Sequence, residues 1–253
     1  MAMNRPAFRV RVRSLVAFVA VCAVLLWAGI AAFDPTRRLV RELGPDQPAY
    51  IRREAAVGLG YQIPAWNVEW AISALIVALR DPSPRVRECA VAGLAGHGNR
   101  SNRAVSEVAA LLDDHDWSVR YSAAAGLGDI AERNGPERVV AVSALVSALD
   151  DARPDVREAS ALSLIRLGET ARVVDALSEL LRGADARDRQ RLLSGLRRVI
   201  SKNDRELIPV LQAAARDEDG HVRNGARALL PLFGPPDPTI PVRDDALPDT
   251  QKE

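Results

Sequence analysis

Apolar residues along this chain fall into short segments of helical spacing, separated by turns. In Val86-Arg87-Glu88-Cys89-Ala90-Val91-Ala92-Gly93-Leu94, residues Val86, Ala90, Gly93 and Leu94 stand at i, i+4, i+7 and i+8 and so share one helical face. The pattern returns at 51–59, 119–127, 156–164, 188–196 and 222–230. Its arginine stands at positions 52, 87, 120, 157, 189 and 223, giving steps of 35, 33, 37, 32 and 34 residues. Another apolar helix is predicted before each copy, over 36–43, 65–79, 103–112, 137–149, 171–181 and 205–215. Each unit therefore reads as two helices joined by a short turn. Neither helix can bury its apolar face alone, so the six units must stack.

A second column keeps the same register. Asp46, Asp81, Asp114, Asp151 and Asp217 each lie six residues before the arginine, and only the fifth unit departs, with Gly183. An Asp in such a turn can cap the coming helix or accept from a guanidinium. The pairs Asp46 and Arg52, Asp81 and Arg87, Asp114 and Arg120, Asp151 and Arg157, and Asp217 and Arg223 are expected to build a structural ladder between layers. Asp81 is the partner expected for Arg87. The fifth unit also has Asp188 where the others have Val or Ile, which predicts altered packing or a local bend.

Units of this length, with Asp in the turn and Val-Arg opening an alanine-rich second helix, resemble HEAT repeats, and the HEAT-like repeats of the bilin-lyase type in particular. The resemblance covers roughly residues 35–233. It implies an all-α fold: an α-solenoid, or superhelix, of about six helix-turn-helix repeats with the second helices on the concave side. Its functional implication is weaker, because unrelated functions share this scaffold.

Before the repeats, residues 14–33 form an uncharged apolar run preceded by Arg5, Arg9, Arg11 and Arg13. Twenty helical residues span about 30 Å, the thickness of a bilayer core. The expectation is a basic cytoplasmic segment at 1–13, then a transmembrane helix or signal anchor at 14–33. The repeat domain at 34–233 would lie on the outer, extracytoplasmic side of the cell membrane. Arg37, Arg38 and Arg41 beyond the run weaken that orientation. A cleaved signal peptide, releasing an exported soluble binding module, is the competing reading. Residues 234–253 are rich in proline and charge without periodicity, the composition of a disordered tail.

Charge and chemistry narrow the function. Net charge is +1 over the whole chain. Setting aside the four N-terminal arginines leaves 30 basic against 33 acidic residues, a net of −3, which speaks against nucleic acid as partner. Aromatic residues make up 4%, too few for a base-stacking platform. Cys22 and Cys89 have no metal-ligand company, and Cys89 is expected to be a small buried residue. His97, His115 and His221 lie at turns of different units, and Asp113-Asp114-His115-Asp116 is the sole concentration of possible metal ligands. Its aspartates already have turn and capping roles, so no metal site is expected. No phosphate-binding loop, zinc-protease pair or serine elbow occurs.

What remains is recognition. The positions one past the arginine vary freely: Arg53, Glu88, Tyr121, Glu158, Gln190 and Asn224. They are expected to line the concave face and contact a protein partner without catalysis, cofactor or small-molecule substrate. Tyr121 and Trp117 are candidate anchors. Trp66 and Trp70 are expected to pack the first helix of the second unit. The resemblance to bilin-lyase-type repeats adds a chromophore-handling alternative.

Overall fold

The computed structural model describes residues 19–22, 34–131, 135–183 and 185–234. No strand occurs among the described residues, and residues 34–234 hold twelve α-helices. They pair as α1 (Pro35–Glu42) with α2 (Ala49–Tyr61), α3 (Val68–Ala78) with α4 (Pro84–Gly96), and α5 (Val105–Ala110) with α6 (Trp117–Ile130). The series continues as α7 (Glu137–Ser147) with α8 (Pro154–Arg166), α9 (Val174–Gly183) with α10 (Ala186–Val199), and α11 (Ile208–Ala214) with α12 (Gly220–Leu229). No helix among the described residues is long and apolar enough to cross a membrane. Apart from 19–22, the run at 14–33 lies outside the described residues, as does the tail beyond 234.

Local chemistry explains where the helices begin and end. Asp34 caps α1 by accepting from the Thr36 amide at 2.9 Å, with Pro35 at the first helical position. Four first helices are entered through 3-10 turns, at Ala65–Asn67, Gly98–Ala104, Thr170–Arg172 and Arg205–Leu207, so their α-helical parts are shorter than the apolar pattern suggests. The α8 helix closes at Gly168, whose φ of +85° only glycine adopts easily. There the Glu169 amide reaches back to the Leu164 carbonyl at 2.8 Å and the Gly168 amide to Ile165 at 2.9 Å.

The recurring apolar face forms one continuous core. Val86, Ala90 and Leu94 are fully buried, as are Val119, Ala123 and Leu127 one unit later. Second helices stack closely on one another from α2 to α8, whereas first helices meet more sparsely. The second helices are thus the more closely packed row, as expected of the row on the inside of a curved array. Their approach depends on small residues. A Cβ on Gly60 would sit 2.6 Å from the Cα of Gly93, which means the α2 and α4 backbones touch there. Between α6 and α8, the buried Ser163 hydroxyl donates to the Ala124 carbonyl at 2.7 Å.

Packing changes at the fifth unit, where α8 and α10 touch far less than α6 and α8 do. Asp188 occupies the first turn of α10, capped by Asp185 at 2.8 Å. An apolar residue at that position, Val156 or Val222, is fully buried in the neighbouring units. A carboxylate cannot be sunk there without a partner, so this turn stays nearer solvent.

Candidate functional site: the concave face and its two rims

The Asp and Arg columns do form a ladder, but its rungs run between units and not within them. Arg52 donates through Nε and Nη2 to both Asp81 oxygens at 2.7 and 2.8 Å. Arg87 grips Asp114 at 2.8 and 2.7 Å, and Arg120 grips Asp151 at 2.7 and 3.2 Å. Arg189 pairs with Asp217 at 3.0 Å. Arg87 therefore does not pair with the Asp81 side chain. Within its own unit the arginine uses Nη1 and takes the backbone carbonyl, Asp81 for Arg87 and Asp114 for Arg120, both at 2.8 Å.

The reason lies in the turn. Each aspartate folds over its own backbone and accepts from the amide two residues on: Ser83, Asp116, Arg153 and Asp219, at 2.8–2.9 Å. That bond aims the carboxylate at the preceding unit. The true N-caps are those later residues, for example Asp116, which accepts from Ser118.

All five expected within-unit pairs are corrected by this offset, and three of their members are left without a rung among the described residues. Asp46 is exposed at the first turn and has no arginine of a preceding unit among the described residues. Arg157 faces the unit that has Gly183 in place of Asp, and among the described residues it bonds only the Asp151 and Ala152 carbonyls. Arg223 ends the described array and bonds the Asp217 and Glu218 carbonyls.

Burial is the largest influence on Asp81, Asp114 and Asp151 and opposes their ionisation. The Arg87 fork and the Asp116 amide together outweigh it and hold Asp114 below the ordinary carboxylate range. Asp81 and Asp151 are depressed in the same way by Arg52 and Arg120.

At the opposite rim, where each unit passes to the next, a second row links neighbouring units. Asn67 donates to Asp34 at 2.7 Å and Asn102 to Glu137 at 2.8 Å, while within the sixth unit Arg205 donates to the Phe233 carbonyl at 3.2 Å. Arg138 joins Glu169, and Thr170 donates to the buried Asp204. No sequence column announces this row, because its residue types change at every link.

Between the rims lies the row one past the arginine. Arg53, Tyr121, Gln190 and Asn224 are exposed, while Glu88 and Glu158 are half-buried. One helical turn further on, the residues are Val57, Ala92, Ala125, Leu162, Ser194 and Ala228, mostly small, which makes a shallow floor. Glu88 bridges units by accepting from Arg85 at 3.0 Å and from the Ser118 hydroxyl. Arg191 ties Asp155 at 2.9 Å, Glu158 at 3.2 Å and Asp188 at 3.3 Å into one cluster. Burial raises the Glu158 carboxyl above its usual value in spite of Arg191.

Tyr121 is 44% exposed, and its hydroxyl has no partner among the described residues. Trp117, one turn earlier, is 43% exposed and carries the Arg153 guanidinium 4.5 Å above its ring. Cys89 is half-buried against the core, and burial pushes its thiol up. Among the described residues no group of His, Cys, Asp and Glu could hold a metal ion.

Trp66 and Trp70 do not pack the second unit, being 77% and 41% exposed. The core face of α3 is taken by Val68, Ala71, Ile72 and Leu75, and the two tryptophans fall off that face.

Comparison with known proteins agrees with this architecture. A designed armadillo repeat protein in complex with the peptide (KR)4 superposes with a TM-score of 0.56 at 20% identity, over 78% of this chain and 98% of that one. The crystal structure of an engineered protein gives 0.55 at 19% identity, over 79% and 97%. The complex of CpcE and CpcF of phycocyanin lyase from Nostoc sp. PCC7120 gives 0.52 at 22% identity, over 76% and 74%. Likeness at this identity shows the fold alone. No curated protein matches the chain. The family model for HEAT repeats matches residues 36–128, 72–165 and 108–197, together well over half of the sequence. With its paired helices and inter-unit Asp–Arg ladder, the chain belongs to the HEAT-repeat family.

Proposed function

We propose that this chain is a non-catalytic HEAT-repeat scaffold, anchored in a membrane through residues 14–33, whose concave face holds a protein partner on the extracytoplasmic side. One observation carries the reading. The second helices present unlike side chains around the exposed Tyr121 and Trp117, over a floor of small residues that lets a partner approach the backbone. Aromatic residues at a concave surface supply contact area with little conformational entropy to lose. A designed relative of the fold carries the peptide (KR)4, which supports peptide or protein as the class of ligand.

The test is affinity capture with crosslinking from the native membrane, comparing the full chain with a Glu88→Gln, Tyr121→Ala, Glu158→Gln variant. Glutamine keeps hydrogen bonds at the two half-buried positions, so the array stays folded, which circular dichroism verifies. The expected result is a partner captured by the parent chain and lost from the variant. Identical partner sets would refute this choice of surface. Protease access in intact cells tests the orientation: cleavage of the repeat domain is expected, and protection would refute export.

A second reading rests on the likeness to the phycocyanin lyase subunits. In it the same concave face handles a bilin chromophore. Purified protein mixed with a bilin would then acquire a shifted visible absorbance. An unchanged spectrum removes this reading.

A further inference from the structure

One rung of the turn-rim ladder is missing. Arg52, Arg87, Arg120 and Arg189 each hold the aspartate of the next unit, and Arg157 has Gly183 opposite. Arg157 nonetheless keeps its sisters' pose. Its Nη1 donates to the Asp151 and Ala152 carbonyls at 2.8 and 3.3 Å. Arg120 makes the same two contacts, to Asp114 and His115, at the same 2.8 and 3.3 Å. In Arg120 this anchoring aims Nε and Nη2 at Asp151. In Arg157 that edge meets no acceptor among the described residues, and the side chain is only half-buried.

The space opposite is open. A Cβ added at Gly183 would meet nothing within 4 Å. The neighbouring Arg182 is exposed, with its Nε on the Ser178 carbonyl at 3.1 Å. Arg223 ends the described part of the ladder in the same way, its Nη1 on the Asp217 and Glu218 carbonyls at 2.7 Å.

A guanidinium held by one nitrogen, with its other edge free, matches the two oxygens of a carboxylate and has already lost the rotamer freedom that binding would otherwise cost. We propose that Arg157 is a docking point for a carboxylate of a partner protein, an Asp or Glu on an extended acidic segment that lies along the turn rim. The partner's carboxylate supplies the rung that Gly183 omits. Arg223, two units on, takes a second one. Packed helices lie about 8–10 Å apart, so the two forks stand roughly 20 Å apart. About six extended residues bridge that distance. A carboxylate is the ligand of choice because it is what this fork grips at every complete rung. The inference stands apart from the concave-face reading, whose residues it does not use.

The test uses the full chain, isotope-labelled at arginine, and a synthetic probe, acetyl-Asp-Ser-Gly-Ser-Gly-Ser-Asp-amide. Its control replaces both aspartates with asparagine. The Nε–H resonances of Arg157 and Arg223 are expected to move saturably with the acidic probe and less so as salt rises. Those of Arg87 and Arg120, already paired, stay in place. Gly183→Asp closes the rung from within. That variant is expected to remain folded, to lose the Arg157 response, to keep the Arg223 response, and to bind the probe several-fold more weakly.

Four results overturn the proposal. One is no saturable shift at Arg157, and another an equal response to the asparagine control. A third is an unchanged response in Gly183→Asp. The fourth is an Arg157 resonance that already matches its paired sisters in the free chain, which would place a carboxylate of residues 235–253 in the fork.

Discussion

Truncating a ladder arginine should cost very different amounts in different units. In Arg87→Ala, the Asp114 carboxylate loses both of its fork bonds, with its side chain only 9% exposed. It keeps the Asp116 amide alone. Breaking a fully buried pair costs about 3–5 kcal/mol, because the surviving charge is left uncompensated. This rung lies at a rim, with the Arg87 side chain 15% exposed, so the cost falls to or just below the bottom of that scale, about 2–3 kcal/mol.

In Arg157→Ala no carboxylate is orphaned. Only the bonds to two carbonyls go, at about 1 kcal/mol. The difference of about 1–2 kcal/mol would separate the melting temperatures by about 2–8 °C in a domain of this size. Urea titration followed by far-UV circular dichroism measures both variants against the parent. If Arg157→Ala unfolds as readily as Arg87→Ala, the carbonyl bonds carry the stability, and the reasoning from the cross-unit fork fails.

Other expectations follow from the same geometry. Asp81, Asp114 and Asp151 have folded-state pKa values below their ordinary ones, so their contribution is present above the unfolded value of about 4 and is lost as pH falls through the folded values. Acid titration should therefore show stability falling below that point, with a shallower fall in Asp114→Asn, which is also less stable near neutrality. An equally steep fall in that variant would contradict the assignment. Gly60→Ala forces the α2 and α4 backbones apart and should cost about 1–3 kcal/mol, whereas Gly183→Ala, facing open space, should change stability little. Calorimetry of the pair checks this contrast, and equal melting temperatures would dismiss it. Trp66, at 77% exposure, should be quenched freely by iodide, shown as a fluorescence difference between the full chain and Trp66→Phe; a shielded Trp66 would contradict its placement.

Much of this architecture is legible in the sequence because it repeats. Val86, Ala90, Gly93 and Leu94 announce the stacking face, and all four are buried. The Asp and Arg columns are equally visible, yet their connection is not. A six-residue spacing puts both groups in one turn, and only the bond from Asp81 to the Ser83 amide reveals that the carboxylate points to the previous unit. The second rim row has no column to read: Asn67, Asn102, Arg138 and Thr170 do one job with three residue types. Trp66 and Trp70 misled because i, i+4 spacing shows that two residues share a face without showing which face is buried. On the concave face, the variable row was visible as variation, whereas the ion cluster around Arg191 needed coordinates. Its members Asp155, Glu158 and Asp188 come from two different units.

The fifth unit shows how one departure acts at several levels. Gly183 removes a carboxylate from the ladder, Asp188 removes an apolar side chain from the core, and α8 and α10 pack sparsely between them. In a solenoid, stability is carried by each unit and its interfaces, so this boundary, short of a ladder rung and of second-helix packing, is held in their place by the Arg191 ion cluster.

The central claim is that a protein partner occupies the concave face, and site-specific photo-crosslinking tests it most directly. A photoreactive residue replaces exposed Tyr121 on a second helix, and in a separate variant replaces Val77, 74% exposed on a first helix. Irradiation of cells expressing the full chain is expected to yield a discrete, reproducible adduct from position 121 and none from position 77. An adduct from position 77 alone, or none from position 121, would contradict the account.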